Sequence, residues 1–259
     1  MNNHQKFREL HKANKLLHIG NVWDVNSALL FEKMGYPSLG TSSAAIATSL
    51  GYEDGEEMSF NELLSIVKSI TKKVSLPITV DIEAGYSRNA SEIVENIILL
   101  SEAGVSGINI EDSVVVNGKR EITNSHEFSE LLKMVKRSLT DKNIDMFLNA
   151  RTDFFVMGLD NPLEETVSRA VLYESAGADG IFVPCVTHEN DIKKIVDSLS
   201  IPLNVMTMPD LPAFDALQRL GVSRVSMGPF VYNKLNENFR KTLELIEDNQ
   251  SFDVIFSMI

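Results

Sequence analysis

EAGVSGINI, residues 102–110, holds the pattern that decides the fold: a helix closing on glycine, a short turn, then small and apolar residues suited to a buried strand. The plan recurs in EKMGYPSLG (32–40), SAGADGIFV (175–183) and RLGVSRVSM (219–227). Glycine just past a helix takes the left-handed cap conformation without a side-chain clash. The intervals between Gly35, Gly104, Gly177 and Gly221 hold two, two and one βα units of about 30 residues or more. Intervening strands follow by the same logic in LLHIG (16–20), ITVDI (78–82), DMFLNA (145–150) and PLNVM (202–206). Amphipathic helices lie between them. Ser59-x-x-Glu62 is a capping box before Leu63, Leu64, Val67 and Ile70; Asn161 precedes an N1 proline; Ser91 precedes Ile93, Val94, Ile97 and Ile98. Alternating strands and helices over about 250 residues predict an α/β fold, a (β/α)8 TIM barrel. A doubly wound open sheet is the competitor, but no Gly-rich phosphate fingerprint follows the first strand.

With 259 residues, 44% of them hydrophobic, the chain can bury one large barrel or two smaller cores. No Gly/Ser/Pro-rich linker interrupts it, so a single domain over 1–259 is expected, with 230–259 as a helical oligomerisation segment. The tail FDVIFSMI (252–259) is strongly apolar for a chain end and reads as subunit-interface packing. A net charge of −12 disfavours partners such as nucleic acid or an anionic membrane. Cys185 is the single cysteine, which excludes an intrachain disulfide and a multi-cysteine zinc site and suits a reduced cytoplasm. There is neither an apolar signal core nor a run of about 18 apolar residues, so a cytoplasmic location away from membranes is expected.

In a barrel of this kind functional groups collect past the C-terminal ends of the strands. The polar residues fall there: Thr41, Ser42 and Ser43, then Asp81 and Glu83, then Glu111 and Asp112, then Asn149, Arg151 and Asp153, and finally Asn204. In TVDIEAGYS (79–87), strand alternation places Asp81 and Glu83 on one face. With Glu111 they form a trio of like charges that push one another's pKa up unless a cation intervenes. Oxygen ligands without histidine or thiolate favour Mg2+, or Mn2+, over zinc. Arg151 suits bidentate capture of a carboxylate, and equally an ion pair with Asp153. Ser42 and Ser43 suit a second set of anionic oxygens, and equally a helix N-cap. Metal, guanidinium and hydroxyls together describe a site for a small 2-oxo acid or its enolate. Cys185 reads as a small apolar residue, and His18, His126 and His188 lack paired spacing.

The strings NVWDVNSA (21–28), TSSA (41–44), GYEDGE (51–56), VDIEAGY (80–86), GINIED (107–112), NARTD (149–153) and AGADGIFVP (176–184) resemble, in order, the phosphoenolpyruvate mutase and isocitrate lyase superfamily. The resemblance implies a barrel whose last helix is exchanged between subunits of a homodimer or homotetramer. It implies Mg2+ held by Asp81, Glu83 and Glu111, partly through water, with Asp54 on a loop over the site. Ser42, Ser43, Arg151 and Asn204 match positions that bind substrate oxygens, and Trp23 matches one near the same pocket. The lyases carry Lys-(Lys/Arg)-Cys-Gly-His after strand four, and the mutases Lys-x-Asn-Ser; here NGKREITNS (117–125) has neither spacing, and Val183-Pro184-Cys185-Val186 replaces a Glu or His that some relatives place after strand six. Lys119 is the candidate general acid of that loop. The expectation is a Mg2+-dependent lyase cleaving a C–C bond in a small 2-oxo or 2-hydroxy acid through a metal-stabilised enolate. The alternatives are P–C chemistry, as a phosphonopyruvate hydrolase or phosphoenolpyruvate phosphonomutase, and a non-catalytic metabolite-binding barrel.

Overall fold

The computed structural model describes residues 1–13 and 15–256. Its strands in chain order are β1 (Leu17–His18), β2 (Gly20–Val22), β3 (Leu39–Thr41), β4 (Ile78–Asp81), β5 (Gly107–Glu111), β6 (Ser113–Val116), β7 (Lys119–Ile122), β8 (Phe147–Arg151), β9 (Gly180–Val183), β10 (Leu203–Met206) and β11 (Arg224–Ser226). All but β6 and β7 lie in one parallel sheet, ordered β1-β11-β10-β9-β8-β5-β4-β3-β2, with helices outside. The two edge strands are halves of one segment that breaks at Ile19. Leu17–His18 pairs with β11 and Gly20–Val22 with β3, so the chain itself closes the barrel. The single strand expected at 16–20 is therefore two, because one edge must serve neighbours on opposite sides of the closure.

The four repeated glycines have φ between 82° and 98°, the left-handed geometry that the helix ends require. Ser59 caps the helix Phe60–Thr71 with the reciprocal Glu62 bond. Ser91 is not a cap: Asn89 takes that role, accepting from the Ser91 N–H. Asn161 precedes the helix Pro162–Ser175 but forms no side-chain cap bond.

The N-terminal helix Asn3–Lys12 stoppers the bottom of the barrel. Phe7 and His11, one turn apart, are its buried residues. Phe7 packs edge-on against Phe147 at 5.5 Å, and His11 stacks on the same ring at 4.3 Å. Room for Phe7 comes from Gly107, where a Cβ would lie 2.9 Å from the Phe7 ring. Arg8 pins the helix through Asp145 at 2.7 Å and Asp179 at 2.9 Å. Full burial of one such aromatic is worth about 2–3 kcal/mol.

At the other end of the chain the helix Phe230–Asn249 buries no side chain and leaves Leu235, Phe239 and Leu243 exposed. Residues 257–259 of the apolar tail lie outside the described residues. Among the described residues no helix is long and apolar enough to cross a membrane.

Candidate active site

The C-terminal mouth of the barrel holds a cavity of about 160 Å3, lined among others by Ser42, Ser43, Asp54, Asp81, Asn109, Arg151, Phe182 and Cys185. It is smaller than the roughly 300–1,000 Å3 typical of drug-sized ligands, so it selects for a small molecule.

Sheet register assembles the charged wall. Glu111 on β5 is the ladder partner of Arg151 on β8, and Asp81 on β4 is that of Asn109. Arg151 Nη1 stands 2.9 Å from Glu111 Oε2 and 4.0 Å from Asp81, while Nε and Nη2 donate to Asp153 at 2.5 and 3.1 Å. The ion pair with Asp153 is thus real, and it orients the guanidinium. Of its five donors two make hydrogen bonds, both to Asp153, while Nη1 only stands in ion-pair range of Glu111, so N–H groups of both terminal nitrogens stay available to a ligand.

Asp81 and Glu83 are close for a reason other than strand alternation. β4 ends at Asp81, and Glu83 sits in a turn at φ 50°, its N–H donating to Asp81 Oδ1 at 3.2 Å. Tyr86 Oη donates to Glu83 Oε1 at 3.2 Å, and Glu83 Oε2 is buried without a hydrogen-bond partner. Glu83 and Glu111 stand directly behind the wall rather than lining the cavity. Among the described residues no three Asp, Glu, His or Cys groups stand in a metal-ligating arrangement. Of the trio expected to converge, Glu111 is instead paired with Arg151 and Arg120.

One of those groups escaped the sequence reading. Residues 117–125 are not an irregular loop: β6 and β7 form an antiparallel hairpin turning on Asn117-Gly118, both with positive φ. Asn-Gly between alternating residues is the strongest short-range hairpin signal, and it was present in VVVNGKREI. The alternation sends Arg120 inward and Lys119 outward. Arg120 Nη1 meets Glu111, Ser113 at 2.7 Å and Asp153 at 3.0 Å, and Nη2 reaches Asp54 at 3.5 Å. Lys119 is exposed at the hairpin tip, and the basic group of this loop that meets the carboxylates is Arg120.

Burial pushes Glu83 up to about 9, with Asp54, Glu111 and Asp81 adding to the shift. Burial likewise pushes Glu111 up to about 8 against the pull of Arg151, and raises Asp81. Burial would raise Asp153 too, but Arg151 holds it below the usual range.

The other expected site residues divide. Ser42 caps the helix Ser43–Leu50 by accepting from Ala45 N–H at 3.3 Å, and Ser43 Oγ donates to Asp81 at 3.4 Å; both line the cavity. Asp54 lines it from the loop above. Asn204 does not: it lies within the barrel, its amide spent on Asn149, Val205 and their neighbours. Trp23 packs against Tyr232 at 5.1 Å, outside the cavity lining. Asp112 is fully buried against Arg169 and Tyr173, a structural pairing. Cys185 lines the cavity, its thiol pushed up by burial. Asn109 went unremarked, although alternation from Glu111 places it on the same interior face.

A parallel β/α barrel with a small, charged, oxygen-rich cavity at its C-terminal mouth is the class these features define. The chain belongs to the phosphoenolpyruvate mutase/isocitrate lyase superfamily: the phosphoenolpyruvate phosphomutase family model matches residues 7–247. The crystal structure of a phosphonomutase candidate from Burkholderia cenocepacia J2315 is 32% identical with a TM-score of 0.87, over 93% of this chain and 99% of that one. Oxaloacetate decarboxylase of Pseudomonas entomophila is 30% identical, over 87% of this chain and 78% of its own. The 2-methylisocitrate lyase of Escherichia coli is 28% identical, over 79% and 70%.

Proposed function

We propose that this protein is a Mg2+-dependent lyase cleaving a C–C bond in a small 2-oxo or 2-hydroxy acid, with decarboxylation of an oxaloacetate-like substrate the foremost case. The observation that carries the reading is a charge imbalance. Asp54 and Asp81 line the small cavity and Glu83, Glu111 and Asp153 cluster about them, with Arg151 and Arg120 as the cationic partners of the group. An anionic substrate entering such a site requires further positive charge.

The donor chemistry of the cluster, rather than its spacing, fits a hard divalent cation on two grounds: its carboxylate donors are all oxygen, and Glu83 Oε2 is buried without a partner. Asp81, Glu83 and Glu111 would hold it, partly through water. Mg2+ is the reading and Mn2+ an acceptable substitute. When bound, such an ion supplies electrostatic stabilisation of the negative oxygen that develops as the C–C bond breaks.

The chain's own groups do the rest. Arg151, locked by Asp153 and Glu111, directs its remaining N–H donors at a substrate carboxylate. The N-terminus of the helix beginning at Ser43 faces the same cavity, where backbone N–H groups and the Ser43 hydroxyl favour anionic oxygens. Phe182, Pro184 and Met206 form an apolar wall that limits water around the reacting carbon. Asp54, linked to Arg120, ties the covering loop to the hairpin and is the group placed to exchange a proton at the open side. The exposed apolar stripe of Phe230–Asn249 supports assembly of this chain into a homo-oligomer. The single cysteine supports a cytoplasmic setting.

The test is a panel of oxaloacetate, methylisocitrate, dimethylmalate and related acids with and without Mg2+. Release of pyruvate that EDTA abolishes is expected. Absence of product from every member overturns the reading. The likeness to a phosphonomutase candidate keeps P–C chemistry as a second reading, checked by following phosphorus resonances with phosphonopyruvate.

A further inference from the structure

Beneath the cavity lies a cation with no ion-pair partner among the described residues. Arg224 on β11 points into the barrel and is 1% exposed. Among the described residues no carboxylate is within ion-pair distance of it, and its Nε and Nη1 have no hydrogen-bond partner. Its ring neighbour is Phe7, 6.0 Å below. Burial disfavours its charge, and Asp81 is the one group acting in its favour. Leaving a buried guanidinium so poorly satisfied costs several kcal/mol.

Among the described residues its side chain makes one hydrogen bond. Nη2 donates to Asn109 Oδ1 at 3.3 Å. The same oxygen accepts from Asn149 Nδ2 at 2.9 Å, which is shared with Asn204 Oδ1 at 3.3 Å. Asn204 spends its own amino group on Val205 O, at 2.6 Å, and on other groups of β10 and β11. Gly180 makes room for this layer: a Cβ there would lie 2.9 Å from Asn149 Oδ1. A guanidinium can only donate, so the end of the Asn109 amide that faces Arg224 must be its oxygen. Two donors therefore lock the amide, and its amino group is the end left over. Asn109 lines the cavity, between its ladder partners Asp81 and Asn149 and below Arg151.

We propose that Asn109 is a binding residue whose Nδ2 donates to a carboxylate or enolate oxygen of the ligand, and that Arg224 is the positioning residue that fixes this orientation from below. Two donors then converge on one anion from different strands, Arg151 on β8 and Asn109 on β5. The inference rests on the small-anion reading of the cavity.

The experiment is calorimetric titration of the full chain with oxalate in the presence of Mg2+, alongside thermal melts. Asn109→Ala should weaken oxalate about tenfold. Arg224→Met replaces a buried unpaired charge with an apolar chain and should melt at or above the wild-type temperature, yet lose affinity to the same degree. Because Arg224 acts through Asn109, the double variant should bind no more weakly than Asn109→Ala alone. Arg224→Lys, which keeps a donor for Asn109 Oδ1, should recover part of the loss. Oxalate binding unchanged in Asn109→Ala, or losses that add fully in the double variant, overturns the inference. Failure of the wild type to bind oxalate, pyruvate or oxaloacetate overturns the small-anion reading and this inference with it. Should Arg224→Met not melt cooperatively, Asn109→Ala and Arg224→Lys decide the matter.

Discussion

At the mouth of the barrel five carboxylates face two guanidinium groups; at its floor one guanidinium, Arg224, faces no carboxylate within ion-pair reach among the described residues. The same strands build both ends, yet the ends handle charge in opposite ways. The floor sets its cation between the Phe7 ring, 6.0 Å away, and the asparagine layer that separates it from the cavity. The mouth leaves excess charge beside an open cavity, with Glu83 and Glu111 held near protonation. Strain of this kind at a mouth is relieved when a cation and its anionic ligand bind. The contrast teaches where stability and function separate: the aromatic packing of Phe7, His11 and Phe147 below Arg224 is complete without a ligand, whereas the mouth is electrostatically unfinished.

The comparison breaks if the aromatic stopper below Arg224 proves necessary for binding. Phe7→Ala should cost about 3–5 kcal/mol in urea denaturation while the folded fraction binds oxalate as before; weakened binding would show that the two ends are not separable. At the mouth, stability and function should move in opposite directions. Asp81→Asn removes one of several crowded buried charges, so the metal-free protein should gain about 1 kcal/mol in thermal or urea unfolding. Its oxalate affinity with Mg2+ should fall about 100-fold or more. Loss of stability in that variant would contradict the electrostatic account of the wall. Arg120→Ala should lower kcat/KM by about tenfold, since Glu111 and Asp153 lose a partner while Arg151 remains; full activity would make the hairpin guanidinium dispensable.

The smallest effect belongs to the floor. Burial pulls His11 down to about 3, well below the usual value near 6.5. The unfolded chain therefore binds the proton first. The contribution is complete above about pH 6.5 and is lost as pH falls toward the folded value, by about 1 kcal/mol between pH 6.5 and 5.5. Glu83 and Glu111 act in the opposite sense, their raised folded pKa values making stability fall as pH rises from about 4.5 toward 8 or 9. Comparing wild type with His11→Phe by urea denaturation at each pH isolates the histidine; identical profiles would remove it from the account.

Much of the molecule was legible in the chain because the relevant signals are local. A glycine after a helix, Ser59 with Glu62, and polar residues at strand ends each report on a few neighbouring residues, and the repeated βα plan follows from them. Ser42, Ser43, Asp81 and Arg151 lie where strand ends predicted. Arg120 was equally local, since Asn117-Gly118 sets the hairpin and alternation sets the face. Asn109 was accessible by parity with Glu111. Asn204 shows the limit: its strand and inward face were readable, but its depth below the cavity was not.

The sequence alone determined the alternating strands and helices, the end of the barrel at which chemistry collects, and the presence of more acid than base there. Tertiary structure alone decided that Glu111 meets Arg151 and Arg120, that Arg224 stands unpaired under Asn109, and that Lys119 points away. The physical reason is range. Turn, cap and alternation preferences act over a few residues, whereas the stagger of eight strands around a closed barrel sets both the depth of each side chain and which charges, distant in the chain, come within a few ångströms.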